Sequence, residues 1–251
     1  MAEQDFFVGY QPEMPRDLGS YLRPRIAALL VLVGLLAAGL ALSQQPYGAS
    51  TFEFGVETEL EGRLEVEPVP LLVVERPAGG GQSLYLLTVF GKRDARPVVE
   101  PHEGRRVRLR GALIHRDDQV MVEVVPDSIE LLEGAASPGR EVLALGEVTL
   151  EGEVVDSKCF LGVMNPGSTK PHRACATLCI RGGVPPVLLV RDEAGGARYL
   201  LLTDAEGGAL NEWLVEQQLV AEPVRVRGQL ERRGSLEVLR VEGAGIERLL
   251  R

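Results

Sequence analysis

The hydrophobic positions of the chain fall into three patterns. Residues 26–42 form an unbroken run of 17 uncharged, apolar residues. As a helix at ~1.5 Å per residue this run spans roughly 26 Å, enough to cross a bilayer core of about 30 Å with help from its flanks. From residue 50 onward the chain turns to short alternating stretches, such as Val107-x-Leu109 and Val224-x-Val226, with the period of half-buried strands. A helical pattern interrupts them at 209–219, where Leu210, Trp213, Leu214 and Leu219 favour one face.

Arg16, Arg23 and Arg25 precede the apolar run, and the first base after it is Arg63. The positive-inside rule therefore predicts a cytoplasmic segment over 1–25, a transmembrane anchor over 26–43 and an external remainder from about residue 44. A signal peptide cut near Ala41-Leu42-Ser43 is the competing reading. The run exceeds the usual ~7–15 residues of a signal core and follows a long leader, so an uncleaved anchor is expected. This places the chain in a bacterial inner (plasma) membrane with its bulk periplasmic.

The external part reads as an internal repeat. Leu60-Glu61-Gly62 matches Leu150-Glu151-Gly152, Tyr85-Leu86-Leu87 matches Tyr199-Leu200-Leu201, and Val107-Arg108-Leu109-Arg110-Gly111 matches Val224-Arg225-Val226-Arg227-Gly228. Blocks in the same order predict a tandem duplication. Each copy holds about five short strands, and in the second copy the helical stretch follows the third strand. Three strands, a helix and two strands is the order of an OB-type barrel. The expected fold is mainly β: an anchor, a first OB-like domain over 50–133, a linker over 134–145 and a second OB-like domain over 146–251. In the first copy residues 96–101 hold two prolines, which predicts a loop in place of the helix.

The copies differ at one place. Gly62 and Pro70 are 8 residues apart, whereas Gly152 and Pro186 are 34 apart, so the second copy carries an insertion over 156–183. It contains all three cysteines of the chain (Cys159, Cys175, Cys179) and one of the three histidines (His172). A helix over roughly 171–181 sets His172, Cys175 and Cys179 at i, i+3 and i+7 on one stripe, with Cys159 arriving from the preceding loop. Three thiolates and an imidazole make a full tetrahedral set for zinc and also suit Cu(I). The other reading is one disulfide from Cys159 to Cys175 or Cys179 with a spare thiol, as an oxidising compartment favours. Lys158, Lys170, Arg173 and Arg181 stand against Asp156 alone there, a local positive cluster able to bind an anion or an acidic partner.

Charge and composition narrow the partners. With 36 acids against 27 bases, a net charge of −9 and 12 aromatics, the chain lacks the clustered bases that nucleic acid requires. No phosphate loop or dinucleotide fingerprint is present, and no C-x-x-C-H haem site occurs.

The segment Asp156-Ser157-Lys158-Cys159, then His172-Arg173-Ala174-Cys175-Ala176-Thr177-Leu178-Cys179, resembles a group of small exported bacterial domains with an Asp-Ser-x-Cys opening, a His-x-x-Cys-Ala-x-x-Cys helix and an OB-like barrel, over about 146–250. The resemblance implies export, the barrel and the Cys/His site, and supplies no reaction. An anchor followed by a barrel also resembles periplasmic haem chaperones, whose His-x-x-x-Tyr attachment motif is absent. The expected function is an accessory or assembly protein that presents a metal-binding or redox-sensitive site to a membrane or redox complex, without classical enzyme activity. A thiol-disulfide or metal-dependent enzyme, or a structural module with a stapled loop, are the alternatives.

Overall fold

The computed structural model describes residues 14–43, 50–75, 81–134, 142–192, 196–242 and 245–249. The chain separates into two compact units, Met1–Tyr47 and Gly48–Arg251. In the first, helix α1 (Arg16–Ser43) begins ten residues ahead of the predicted anchor and runs through Pro24. Its most apolar 18-residue window has a mean hydropathy of 2.6 and no burial. Among the described residues it is the one helix long and apolar enough to cross a membrane.

The second unit is mainly β and contains two closed, barrel-like sheets. The first is made of β1 (Ser50–Phe52), β2 (Thr58–Glu65), β3 (Leu71–Glu75), β4 (Gln82–Val89), β5 (Arg93–Asp94), β6 (Arg106–Arg116), β7 (Gln119–Val124) and β8 (Glu130–Leu131). Its strands pair β2–β3–β4–β7–β6 and back to β2, with a parallel β4–β7 seam. The second is made of β9 (Val142–Asp156), β10 (Pro186–Arg191), β11 (Ala197–Asp204), β12 (Pro223–Arg233), β13 (Leu236–Val241) and β14 (Ile246–Arg248). It closes as β9–β10–β11–β13–β12 and back to β9, with β11–β13 parallel.

The recurring sequence blocks have a steric cause. Gly62 pairs with Val107, and a Cβ on it would stand 2.5 Å from the carbonyl oxygen of Val73. Gly152 pairs with Val224, and its Cβ would stand 2.5 Å from the carbonyl oxygen of Leu189. Each strand coils so tightly over its neighbour there that only glycine fits. Gly111 and Gly228 meet the carbonyl oxygens of Glu123 and Arg240 in the same manner. The charged positions recur too: Arg108 pairs with Glu61 and Arg225 with Glu151, both at 2.6 Å.

Three expectations need correction. Residues 96–101 are not a loop: α2 (Arg96–Val99) is followed by a tight turn over Glu100–His102. Pro97 and Pro101 each fall in the first turn, where a missing N–H costs nothing. The helix expected over 209–219 is shorter, covering Asn211–Glu216 (α4, after α3 at Arg173–Arg181). Gln218 takes a left-handed φ of 54° that ends it. The predicted linker also ends early, because residues 142–145 already belong to β9 and pair with β12. Residues 135–141 of that linker lie outside the described residues.

One apolar cluster fills each sheet, centred on Leu72, Leu87 and Leu109 in the first and on Leu188, Leu200 and Val226 in the second. A third is shared: Leu71, Leu86, Ile114 and Met121 of the first sheet pack with Leu161, Leu201, Leu236 and Val238 of the second half. Burying each such side chain contributes about 1.5–3 kcal/mol, so the two halves hold each other through their cores.

Candidate metal centre

The insertion leaves the second sheet at Asp156, the last residue of β9. Asp156 is fully buried, and its Oδ1 accepts the N–H of Cys159 at 2.8 Å. Capping of this kind turns the chain at once into a wide helical turn, Cys159–Val163. Beyond it, Lys170–His172 forms a tight turn that leads into α3. Cys175 and Cys179 lie one turn apart on α3, which brings both sulfurs back to Cys159.

The Cys159 Sγ stands 3.8 Å from the Cys175 Sγ and 3.9 Å from the Cys179 Sγ. All three thiols are free, so these are contact distances and not bonds. Thiolates around one tetrahedral zinc, at ~2.3 Å each, stand about 3.8 Å from one another. His172 Nε2 lies 3.0 Å from Asp156 Oδ2, with both side chains almost wholly buried. A metal-binding imidazole characteristically holds a carboxylate on its other nitrogen, and this contact leaves Nδ1 as the available donor. The arrangement is two overlapping groups, not one flat stripe. Cys159, His172 and Cys175 have donor atoms within 4.8 Å of one another, as do Asp156, Cys159 and Cys179. Either group, two sulfurs with an imidazole or two sulfurs with a carboxylate, could hold a metal ion.

Lys92, from the turn between β4 and β5 of the first sheet, completes the cluster. Its Nζ lies 2.6 Å from the Cys175 Sγ and 3.5 Å from the Cys179 Sγ. Although partial burial opposes the charge, the hydrogen bond to Cys175 and the charge of the Cys179 sulfur hold the ammonium above its ordinary range. Cys159 is held protonated by its hydrogen bond with Cys179, by burial and by the charge of Asp156. The same bond, against burial and Asp156 and with help from Lys92, favours the thiolate at Cys179.

Of the expected cationic cluster, Lys170 and Arg181 are exposed and Arg173 is ion-paired with Glu222. Lys158 is not available to an anion. It is buried, with its Nζ donating to the carbonyls of Val89 at 2.8 Å and Gly91 at 2.7 Å and pairing with Glu123 Oε2 at 2.5 Å. The turn after β4 is thus gripped from two directions: Lys158 reaches into it, and Lys92 reaches out of it. Asp94 N–H donates to the Gly182 carbonyl at 2.8 Å beside them. Sequence reasoning missed Lys92 and the role of Asp156. The signals were present in the scarcity of lysine (Lys92, Lys158 and Lys170 are the only three) and in an aspartate three residues before the first cysteine.

No family model and no curated protein matches the chain. Among solved structures it is similar to the crystal structure of a deletion mutant of the single-stranded DNA binding protein from Thermus aquaticus. The match has 18% identity and a TM-score of 0.22 and covers 78% of this chain and 82% of that one.

Proposed function

We propose that the chain is a membrane-anchored, extracytoplasmic protein of two tandem OB-like barrels. Its second barrel holds zinc or Cu(I) in a centre of three cysteines and one histidine, Cys159, His172, Cys175 and Cys179. It serves a membrane or redox complex as an accessory or assembly protein. The observation that carries the metal reading is the set of sulfur separations, 3.8 and 3.9 Å, beside an imidazole oriented by a buried carboxylate. The barrel reading rests on the closure of each sheet and on the order of three strands, a helix and two strands in the second. The anchor reading rests on the length and hydropathy of α1 and on the arginines at its N-terminal side.

The test is elemental analysis and thiol counting on the full chain, purified in detergent without reductant. One zinc or copper per chain with three titratable thiols after chelation supports the centre. No metal and two oxidised cysteines overturns it. Fractionation checks the anchor: the chain stays in the membrane after alkaline washing, and release of a form starting near residue 44 refutes it. The contact of Lys92 with Cys175 favours a second reading, thiol-disulfide exchange. That reading fails if Cys179→Ser leaves reduction of a model disulfide unchanged.

A further inference from the structure

The separation of Lys92 Nζ from Cys175 Sγ, 2.6 Å, is shorter than the usual ~2.7–3.2 Å of a hydrogen bond to oxygen, and sulfur is the larger atom. Two side chains, one from the turn between β4 and β5 and one from α3, 83 residues apart in sequence, are held at a spacing that one bridging atom would fill. Neither is sealed away: Lys92 is exposed and Cys175 partly so, while Cys159 and Cys179 are buried. The backbone at both ends is fixed. Asp94 N–H bonds the Gly182 carbonyl, and a Cβ on Gly182 would collide with the Lys92 carbonyl oxygen.

We propose that, in the metal-free protein, Lys92 and Cys175 form an oxidative cross-link through a single oxygen, Sγ–O–Nζ, with hydrogen peroxide as the oxidant. One peroxide converts the Cys175 thiol to a sulfenic acid, breaking its O–O bond and releasing one water. The Lys92 ammonium gives a proton to solvent, and the second peroxide oxidises the amine nitrogen as the N–O bond forms, with two further waters leaving. The sum is thiol plus amine plus two peroxides giving the S–O–NH bridge and three waters. Sulfur and nitrogen each lose two electrons and each peroxide gains two. A dithiol reductant reverses the bridge, returning thiol and amine and releasing the oxygen as water. The bridge ties the first closed sheet to the second and removes Cys175 from the donor set, so peroxide and metal compete for the same sulfur.

The experiment uses the full chain in detergent, stripped of metal with a chelator, exposed to peroxide and digested without reduction. The expected product is a peptide pair joining Lys92 to Cys175, heavier than the sum by one oxygen less two hydrogens and separated by dithiothreitol. The product persists in Cys179→Ser and is lost in Cys175→Ser and in Lys92→Arg, which keeps the charge. A product lacking the added oxygen, whether a disulfide or a direct S–N bond, overturns the proposal. So does a bridge that survives in Cys175→Ser, or a Cys175 oxidised only to unlinked sulfinic acid. The metal centre is judged separately by elemental analysis before stripping: metal present with no bridge sinks only the cross-link, and a bridge in a protein purified without metal sinks only the centre.

Discussion

Replacing Lys158 with methionine isolates the electrostatic half of the contact between the two closed sheets. Methionine keeps most of the side-chain length and apolar volume and removes the charge. The loss has two parts. Glu123, whose side chain is 13% exposed, is left without its cation, and the carbonyls of Val89 and Gly91 lose a charged donor. Breaking a buried pair costs about 3–5 kcal/mol, and the residual wetting of Glu123 puts the expected value near the lower end, about 3 kcal/mol. With a urea dependence of about 2 kcal/mol per molar, the midpoint falls by roughly 1.5 M. Trp213, the one tryptophan, packs against the core of the second sheet and reports the transition by fluorescence in the full chain. Adding Glu123→Leu should restore half or more of the loss, because no carboxylate is then left buried and unpaired. A midpoint lowered by less than about 0.3 M, or a double variant no better than the single one, refutes the reasoning.

Asp156→Asn should weaken metal binding by about 10–100-fold, the usual cost of losing the carboxylate behind a ligating imidazole, as read by competition with a chromophoric chelator. Gly182→Ala forces a methyl against the Lys92 carbonyl oxygen and should destabilise the fold by about 1–3 kcal/mol, with no change if the contact is absent. Burial and a hydrogen bond to Asp117 at 2.9 Å raise the Tyr199 hydroxyl above its ordinary value. The folded state keeps that proton longer than the unfolded chain does. The contribution is therefore intact below about pH 10 and is lost as pH climbs through the raised folded value. Tyr199→Phe should flatten that alkaline decline in denaturation midpoint. Leu200→Ala, fully buried in the second core, should cost about 2–5 kcal/mol by thermal or urea unfolding.

The closed sheets were legible because their constraints are local. Alternation at Val107-x-Leu109 and the glycines at 62, 111, 152 and 228 report strand faces and tight coiling directly, one residue at a time. The cysteine cluster was legible for a related reason, since His172, Cys175 and Cys179 share one short helical stretch. What the sequence hid was direction across a contact between distant segments. Lys158 sits beside Cys159 and reads as part of an anion-binding positive cluster, yet it points into the first sheet. Lys92 lies in a turn 83 residues from Cys175, marked only by the rarity of lysine, and only the docking of the two halves places it on the sulfurs. The helix over 96–99 was hidden by Pro97, whose effect depends on whether it falls in a first turn or an interior one.

The apolar cluster shared by both sheets bears on how this architecture can change over time. Leu71, Leu86, Ile114 and Met121 find part of their cover on Leu161, Leu201, Leu236 and Val238, so cutting the chain at residues 135–141 would leave both pieces with wet, sticky faces. If the halves arose by copying, the copying is no longer reversible: neither can be lost, shuffled into another gene or replaced by its sibling without exposing what the other now conceals. Heating should melt both in one step, and substitutions in one half will be tolerated or rejected according to the sequence of the other.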